Sequence, residues 1–411
     1  MYEKQSNDLF INPERLIASL KKLLEYYPFL GSVFTKLEND KKIDIEHDDV
    51  NGGILFVSTM TNISLHEIPL SNEEYTIDRI LPDTLHLLNT VPDPERLFHV
   101  CHTRFACGSV ALGICLNHRL ADGHSYFQLV NDWARLYKDF EYQPSICHKR
   151  SLLEPTTEEI QTLQHTNSDF DNRRSHAVKN ENIPSPPTVT KEIVVKIFRF
   201  SADELKRMKM DATTHLSSGV DYISTFDALT AHLHQHVMLA RHHPPSTITR
   251  LFISTNIRPR LVQPSLPSTY FGNAIMFSYL EVPISDITHM ALASQIHRAI
   301  QDNDNNDIRT TLAWVLCQND HTKITPTFDL NGTDFTISAW NKMRMYSDAD
   351  FESEIRPCRI LLPPETKFNG TAILLSTEMN DESLDLVLGL DVNEMERVEN
   401  NPDFRKYRRE E

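Results

Sequence analysis

The sequence has no long apolar run, no paired-cysteine motif and no surplus of positive charge. No uninterrupted apolar stretch approaches the roughly 18 residues that a membrane-spanning helix needs. The six cysteines include no C-x-x-C pair, and several stand in apolar stretches, which is typical of buried, reduced thiols. Lys and Arg number 41 against 57 Asp and Glu, and the net charge of −16 opposes binding to nucleic acid or anionic lipid. We therefore expect a cytoplasmic protein with neither a membrane nor a nucleic-acid partner.

The motifs of three large enzyme classes are also absent. The G-x-S-x-G turn of serine hydrolases, the G-x-x-x-x-G-K-[ST] loop of P-loop enzymes and the G-x-G-x-x-G turn of Rossmann dehydrogenases do not occur. By contrast, 40% of the 411 residues are apolar and 9% are aromatic, which is enough for ordinary globular cores. The chain should fold into a globular protein whose chemistry depends on another motif.

A change of composition divides the chain. Residues 141–190 are rich in Pro, Gln, Thr, Asn and Ser, a pattern typical of an exposed connection. We predict an N-terminal domain at 1–140, a linker at 141–190 and a C-terminal domain at 191–411. Helical and strand-like patterns alternate on both sides of the linker, which predicts a mixed α/β fold. The clearest predicted elements are a helix beginning at Pro13, a buried strand at Val110–Leu116, a helix over Tyr126–Tyr137, a strand at Ile193–Phe200, a helix at about Thr225–Arg241, and late strands at Ala372–Leu375 and Leu384–Leu390.

His118, Asp122 and Gly123 form the most informative local pattern. His118 follows the end of the buried strand, and Gly123 precedes an amphipathic helix. α/β folds place reactive side chains at such strand ends. The H-x-x-x-D spacing alone is weak, because His165 and Asp169 repeat it inside the polar linker with no strand before them and no glycine after them.

Further segments accompany this pattern in a consistent order. They are Pro28-Phe29-Leu30-Gly31, Thr103 to Gly113, Asn256-Ile257-Arg258-Pro259-Arg260, Leu266-Pro267, Tyr270-Phe271-Gly272-Asn273-Ala274, Ile337-Ser338-Ala339-Trp340 and Asp350-Phe351. Together with His118-Arg119-Leu120-Ala121-Asp122-Gly123, they resemble the BAHD acyltransferases, a CoA-dependent family marked by HxxxDG. Two features depart from the family pattern. Glu352, Ser353 and Glu354 stand where the family has Gly, Trp and Gly, and the first helix begins where relatives carry an N-terminal strand.

The resemblance implies a fold and an activity. The fold is two chloramphenicol-acetyltransferase-like α/β domains with mixed sheets flanked by helices, with an active-site channel at their interface. The activity is direct transfer of an acyl group from a CoA thioester to a small-molecule alcohol or amine. Acyl-CoA would then be a co-substrate, and no cofactor would be bound permanently. We expect the enzyme to be a monomer.

The chemistry of acyl transfer assigns a role to His118. A hydroxyl or amine must lose a proton as it attacks the thioester, and histidine is the side chain whose ordinary pKa suits that task. We predict that His118 is the general base, and the alternative is a buried histidine bonded to the backbone. At the family's oxyanion position, the Ser338 hydroxyl and the Trp340 indole N–H are candidate donors. Trp340 could instead serve core packing.

Asp122 has two interpretations. It could orient the imidazole of His118, as the aspartate of a hydrolase triad does. The resemblance implies instead that Asp122 points away from the channel and pairs with Arg258, with Arg260 as the second choice. Gly123 suits a sharp turn or a close approach of the backbone to substrate. The resemblance adds Arg258, Asn273 and Asp350 to Gly123 as structural support. The phosphates of CoA require cations, for which Arg260, Lys342 and Arg344 are candidates.

Other interpretations remain open. A catalytically silent member of the fold could bind a CoA-like ligand, since Glu352 and Glu354 bring carboxylates towards phosphates. A condensation relative is disfavoured because Asn117 stands where its first histidine belongs. The His118, Asp122 and His124 spacing matches no zinc template, so we expect no metal site. His232 and His236 fall on one face of a predicted helix and could form an adventitious metal pair, but we interpret His232, His234 and His236 as a solvated flank of that helix.

Overall fold

The contacts within the chain group into two compact units. The computed structural model describes residues 1–4, 10–37, 42–48, 52–68, 97–165, 176–178, 191–214, 216–352, 355–362, 368–379 and 381–408. Unit 1 comprises Met1–Lys149, Pro267–Ala274 and Lys342–Glu365, and unit 2 comprises Arg150–Leu266, Ile275–Asn341 and Thr366–Glu411. The chain thus returns to unit 1 twice, whereas the domains predicted at 1–140 and 191–411 are contiguous. Where the domains of this protein begin and end stays a prediction.

The described residues of unit 1 form a three-stranded sheet, a separate pair of strands and two α-helices. Its elements are α1 (Pro13–Leu24), β1 (Val33–Leu37), β2 (Lys42–Glu46), β3 (Leu55–Met60), β4 (Phe98–Arg104), β5 (Val110–Leu116) and α2 (Gly123–Lys138). The main sheet has the order β3-β4-β5, in which β3 is parallel to β4 and β4 is antiparallel to β5. Strands β1 and β2 form a separate antiparallel pair. Beside β5, Tyr2 forms an isolated antiparallel bridge with Val110.

Local sequence signals explain helices α1 and α2. The Asn12 side chain accepts from the Arg15 N–H at 3.0 Å, and Pro13 occupies the first helical position, so α1 begins as predicted. The apolar faces of α1 and α2 share one core around the fully buried Trp133. The Trp133 indole N–H donates to Ser19 Oγ at 3.0 Å. This packing fixes α2, and the N-terminus of α2 follows His118.

Unit 2 contains a larger mixed sheet. Its elements are α3 (Thr157–His165), β6 (His176–Val178), β7 (Ile193–Phe200), α4 (Ala202–Thr213), α5 (Thr225–Arg241), β8 (Ile248–Asn256), β9 (Ile275–Pro283), α6 (His289–Gln301), α7 (Asn305–Cys317), β10 (Ile324–Pro326), β11 (Phe335–Ala339), β12 (Thr371–Ser376), β13 (Leu384–Asp391) and α8 (Val392–Glu399). The sheet order is β7-β13-β12-β11-β8-β9, with β11 parallel to β12 and β8 and the other pairs antiparallel. Helices α4, α5, α6 and α8 share one apolar core with this sheet. The predicted mixed α/β class is confirmed, and the bounds predicted for β7 and α5 match those observed.

The predicted linker contains a helix that packs into unit 2. In α3, Leu163 is 3% exposed and contacts Ala313 and Trp314 of α7. The Glu159 carboxylate pairs with the Arg309 guanidinium, with 2.7 Å between Oε1 and Nε. The segment 157–163 thus forms part of a helix that packs through Leu163, while Thr157, Glu158, Gln161 and Thr162 are exposed. The linker at 141–190 stays a prediction. The proline stretch at 184–187 lies outside the described residues.

Helix α5 overturns another prediction. His232, His234 and His236 are 0%, 0% and 4% exposed, so they do not form a solvated flank. The His232 ring stacks on Phe404, with 5.8 Å between centroids, and its Nε2 lies 2.9 Å from the Phe404 carbonyl oxygen. The helix is covered on more than one side, which places imidazoles in the core.

No cluster of three or more ligating side chains suited to a metal ion occurs in the described part of the chain. Among the same residues, no helix has both the length and the apolarity to cross a bilayer.

Candidate active site

His118 lies exposed on a tight loop between β5 and α2. We call residues 117–122 the His118 loop. The Asn117 N–H donates to the Leu97 carbonyl at 2.9 Å, which continues the pairing of β5 with β4 by one residue. The Arg119 N–H then donates to the Asn117 side chain at 3.0 Å, which closes the turn. Leu120 and Ala121 are buried, whereas His118 and Arg119 are exposed. The imidazole is thus accessible to solvent and is not a buried core histidine.

Asp122 anchors the far end of this loop. It is 1% exposed and is the N-cap of α2. Its Oδ1 accepts from the Ser125 N–H and its Oδ2 accepts from the Ala274 N–H, both at 2.9 Å. A carboxylate that accepts two backbone N–H groups holds the chain around it in place. The predicted pair with Arg258 stays a prediction. Arg258 belongs to unit 2, where its backbone N–H and its Nη1 donate to Asn256 Oδ1 at 3.0 and 3.1 Å.

Gly123 is the first residue of α2. It begins the helix without a positive φ, so the structure shows no sharp turn at this position. The other expectation, a close approach of the backbone to substrate, stays a prediction. The glycine of the site with an unusual conformation is Gly272, whose φ of 151° is one that side-chain-bearing residues rarely adopt.

The segment Pro267–Ala274 holds the His118 loop from the other side. Asn273 Nδ2 donates to the carbonyl oxygens of His118 and Arg119 at 2.7 and 3.1 Å. Ser125 Oγ donates to the Gly272 carbonyl and accepts from the Gly272 N–H, both at 3.0 Å. These contacts explain why the pattern Tyr270-Phe271-Gly272-Asn273-Ala274 accompanies HxxxDG in this sequence.

Ser338 and Trp340 lie at the end of β11 in unit 2. The Trp340 N–H donates to the Leu374 carbonyl at 2.8 Å, so the strand pairing continues to this residue. The Trp340 indole N–H donates to Ser338 Oγ at 2.9 Å. The indole hydrogen is thus directed at the Ser338 hydroxyl, which keeps its own hydrogen to donate elsewhere. Trp340 is only half-buried, which disfavours a role in core packing alone.

The profile of the Transferase family matches residues 2–405. The chain belongs to this family. The relatives it resembles are BAHD acyltransferases. They include the hydroxycinnamoyltransferase of Narcissus pseudonarcissus, 24% identical with 91% of this chain and 84% of the relative covered. The rosmarinate synthase of Plectranthus scutellarioides is 26% identical with 97% and 89% covered.

Solved structures show the same fold. TRI101 of F. sporotrichioides complexed with coenzyme A and T-2 matches with a TM-score of 0.74 and 16% identity over 99% of this chain and 93% of that one. Vinorine synthase matches with a TM-score of 0.65 and 18% identity over 96% and 86%. The chain is thus a BAHD acyltransferase with the expected mixed α/β architecture.

The altered signature of this BAHD chain is part of the core of unit 1. Phe351 is fully buried, with its ring 5.0 Å from that of Trp133, and Asp350 pairs with Lys138 Nζ at 2.6 Å. Glu352 Oε1 accepts from the Ile11 N–H at 3.0 Å and from the Tyr137 hydroxyl at 2.8 Å. Glu352 therefore serves as a structural acceptor, contrary to the prediction that it faces a phosphate-bearing ligand. Ser353 and Glu354 lie outside the described residues.

The three predicted phosphate-binding cations have different surroundings. Lys342 and Arg344 are exposed in unit 1, and Arg344 Nε lies 3.2 Å from Asp348 Oδ1. Arg260 belongs to unit 2, where its Nη1 donates to the Asn303 carbonyl at 3.0 Å and burial lowers its pKa. The charge of Arg344 is thus balanced in part by Asp348, which makes Arg344 a weaker candidate for binding phosphate than Lys342.

Two features of the BAHD site do not follow from the sequence alone. One is that Asn273 has partners, the carbonyl groups of His118 and Arg119. The other is that Ser338 and Trp340 are not parallel donors, because the indole donates to the hydroxyl. The clue for the first was the co-occurrence of two polar motifs, and no local signal could have revealed the second.

Proposed function

We propose that this BAHD acyltransferase moves an acyl group from a CoA thioester directly to a hydroxyl or amino group of a small molecule, with no covalent acyl-enzyme. His118 is the general base. The acceptor oxygen or nitrogen bonds to the thioester carbonyl carbon while its proton passes to the imidazole. The carbon–sulfur bond then breaks, and the departing CoA thiolate takes the proton from the imidazolium. The cycle ends with CoA–SH and neutral His118, so protons and charge balance.

The observation that supports this role most is that His118 is exposed on a loop whose backbone is anchored. Its imidazole is exposed. The two residues that follow Arg119, which are Leu120 and Ala121, are buried. A general base needs access to the substrate and a fixed backbone behind it. The contacts of Asp122 and Asn273 supply the second requirement.

We propose that Ser338 donates its hydroxyl hydrogen to the developing oxyanion. Because the Trp340 indole N–H donates to Ser338 Oγ, the hydroxyl is oriented and is a stronger donor than an isolated one. Trp340 then contributes through Ser338. One such donor is worth about 3–4 kcal/mol in related chemistry.

Acyl-CoA is the proposed co-substrate, with no permanently bound cofactor. Relatives of this chain include the shikimate O-hydroxycinnamoyltransferase of Nicotiana tabacum and a hydroxycinnamoyl-CoA:5-hydroxyanthranilate N-hydroxycinnamoyltransferase of Avena sativa. Their names cover both an alcohol and an amine acceptor. We propose Lys342 and Arg260 as the first cations to test for phosphate contacts, and Arg344 after them because Asp348 already pairs with it.

We further propose that the enzyme works as a monomer in the cytoplasm. All six cysteines are described and none is in a disulfide, which suits a reducing compartment. Size-exclusion chromatography with light scattering at micromolar concentration tests the monomer.

The function is tested by product detection. Purified protein is incubated with hydroxycinnamoyl-CoA and shorter acyl-CoAs, each with a panel of alcohols and amines that includes shikimate and 5-hydroxyanthranilate. Mass spectrometry should find an acylated product and free CoA in equal amounts. The proposal fails if CoA is released without an acylated acceptor, or if no pair reacts.

A further inference from the structure

Asn273 makes an unusual pair of contacts with the backbone beside the proposed base. Its two amide hydrogens match two successive carbonyl groups, those of His118 and Arg119, at 2.7 and 3.1 Å. Asn273 is separated from His118 by 155 positions in the sequence. These carbonyls lie in the turn after β5 and before α2, where no N–H group of the sheet or of the helix donates to them.

The peptide planes that these bonds hold determine where the imidazole points. A carbonyl direction fixes the plane of the peptide unit that contains it, since the peptide bond is planar. The carbonyls of His118 and Arg119 belong to the two peptide units that follow the His118 Cα. Holding both limits ψ of His118 and therefore the direction of its Cα–Cβ bond.

The segment that presents Asn273 is itself firmly held within unit 1. Phe271 is fully buried, and its ring centroid lies 5.1 Å from that of Tyr27 and 5.3 Å from that of Phe29. On either side of Asn273, the Gly272 N–H donates to Ser125 Oγ at 3.0 Å and the Ala274 N–H donates to Asp122 Oδ2 at 2.9 Å. The side chain of Asn273 thus extends from a backbone that the core and α2 both anchor.

We propose that Asn273 is the positioning residue of His118. It acts through the two carbonyl groups and sets the direction of the imidazole without touching substrate. This proposal deepens the proposed function and depends on His118 being the base. Loss of the amide hydrogens should lower kcat, because a base displaced by about 1 Å can cost up to 10²-fold in rate, while the groups that bind CoA stay unchanged.

Three substitutions separate positioning from general stability. Asn273→Ala removes both hydrogen-bond donors, and Asn273→Asp keeps the shape but sets a carboxylate against two carbonyl oxygens. Asn273→Gln retains the amide on a longer chain and should restore part of the rate. The matched control is Asn12→Ala, which removes the cap of α1 in the same unit and should cost about 1 kcal/mol of stability.

Steady-state kinetics give the first outcome. We expect kcat to fall about 10- to 100-fold in Asn273→Ala and further in Asn273→Asp, with KM for acyl-CoA within about threefold of wild type. Asn12→Ala should keep kcat within about twofold of wild type, although its melting temperature should fall by about as much as that of Asn273→Ala. The proposal is overturned if folded Asn273→Ala keeps wild-type kcat, if it changes KM alone, or if Asn12→Ala loses as much activity.

A second measurement does not depend on activity. Amide hydrogen exchange over residues 118–125 should accelerate severalfold in Asn273→Ala relative to wild type and to Asn12→Ala. Unchanged exchange there would also overturn the proposal. A different outcome is that the wild type transfers no acyl group while exchange accelerates in Asn273→Ala as expected. In that outcome the proposed function is wrong, but Asn273 still holds the His118 loop in place.

Discussion

His118 is an exposed residue on a loop whose backbone is held by hydrogen bonds. The groups that hold it are backbone carbonyls and N–H groups, and their partners are short polar side chains: Asn117, Asp122, Ser125 and Asn273. Short side chains lose little entropy on ordering, so they suit a loop that must keep one geometry. The chemistry is assigned to His118 and the geometry to its neighbours.

Replacement of His118 tests the chemistry. We expect His118→Ala to lower kcat by about 10²–10⁴-fold, because proton transfer by a positioned base contributes that much. CoA binding measured by calorimetry should change little, since the imidazole is not proposed to contact phosphate. His124→Ala is a control two residues beyond Asp122, and it should keep kcat within about fivefold. Activity of His118→Ala close to wild type would remove the base assignment.

Replacement of Asp122 tests the framework. Asn at this position can accept one N–H but presents an NH₂ group to the other, so one buried donor loses its partner. We expect Asp122→Asn to lower the free energy of unfolding by about 1–3 kcal/mol, measured by urea denaturation. The matched control is Asp304→Asn, because Asp304 is an exposed N-cap that accepts from the Asp307 N–H, and Asn caps as well as Asp. Equal effects of the two substitutions would contradict the structural role of Asp122.

Helix α2 extends from the His118 loop at its N-terminus to the altered signature at Glu352 near its C-terminus. Asp122 caps its N-terminus beside the His118 loop, and Tyr137 near its C-terminus donates to Glu352. The helix rises about 1.5 Å per residue over 16 residues, so its ends are about 24 Å apart. The altered signature at Glu352 therefore lies at the end of α2 remote from His118, and it replaces the family's glycine with a hydrogen-bond acceptor.

Substitution of Glu352 tests this account of the altered signature. Glu352→Gly restores the residue usual in the family but leaves the Ile11 N–H and the Tyr137 hydroxyl without their acceptor. We expect a loss of about 1–3 kcal/mol in the free energy of unfolding. Glu352→Gln keeps a carbonyl oxygen and should lose less. A glycine variant as stable as wild type would show that Glu352 contributes nothing to unit 1.

Two buried histidines, His234 in α5 and His102 in β4, should make the stability of the fold depend on pH. Burial lowers the pKa of His234 to about 3 from its ordinary 6.5, and burial, with Arg104 nearby, lowers that of His102 to about 4. Both imidazoles are neutral in the fold and take up protons mainly when the chain unfolds. Stability should therefore be independent of these groups above about pH 7 and fall as pH drops below 6.5 towards 4.

Denaturation midpoints between pH 8 and pH 4 measure this dependence. His234→Leu should flatten the curve, because it removes one of the two groups. His66→Asn is the control, since the His66 side chain is 68% exposed. A curve for His234→Leu parallel to that of wild type would contradict the buried-neutral interpretation.

The distribution of charge matters at the scale of the whole molecule. A chain of net charge −16 must bind the phosphates of CoA through a few local cations. Exposed contacts of this kind weaken as salt rises, because the screening length is about 8 Å at 0.15 M ionic strength. The proposed CoA site should therefore be sensitive to salt and to the loss of single cations.

Calorimetry with free CoA tests that expectation. Affinity should fall between 0.05 and 0.5 M salt, and Lys342→Ala should weaken binding by about 3- to 10-fold, equivalent to about 0.7–1.4 kcal/mol. Lys21→Ala, at an exposed position of α1 in the same unit, should leave affinity unchanged. Binding that is insensitive to salt, or equally weakened by both substitutions, would remove Lys342 from the site.

Local signals in the sequence determined much of this protein. Three predicted elements depend on signals that act within a few residues, and all three are observed: the start of α1 at Pro13, the strand over Val110–Leu116 and the helix over Tyr126–Tyr137. The burial predicted for the strand is wrong beyond Ala111, because residues 112–116 are only half-buried. The mixed α/β class and the acyltransferase family follow from such signals and from the motifs. Both depend on residue types in order along the chain, which a sequence states directly.

Tertiary structure alone decided the contacts between distant segments. The bonds of Asn273 to the His118 loop and of Glu352 to Ile11 and Tyr137 join residues more than 150 positions apart, and the burial of His232, His234 and His236 depends on what covers α5. A polar side chain looks the same in a sequence whether water or a buried N–H is its partner. Which of the two it meets is fixed only when the chain folds, because the free energy of a hydrogen bond depends on burial that distant residues create.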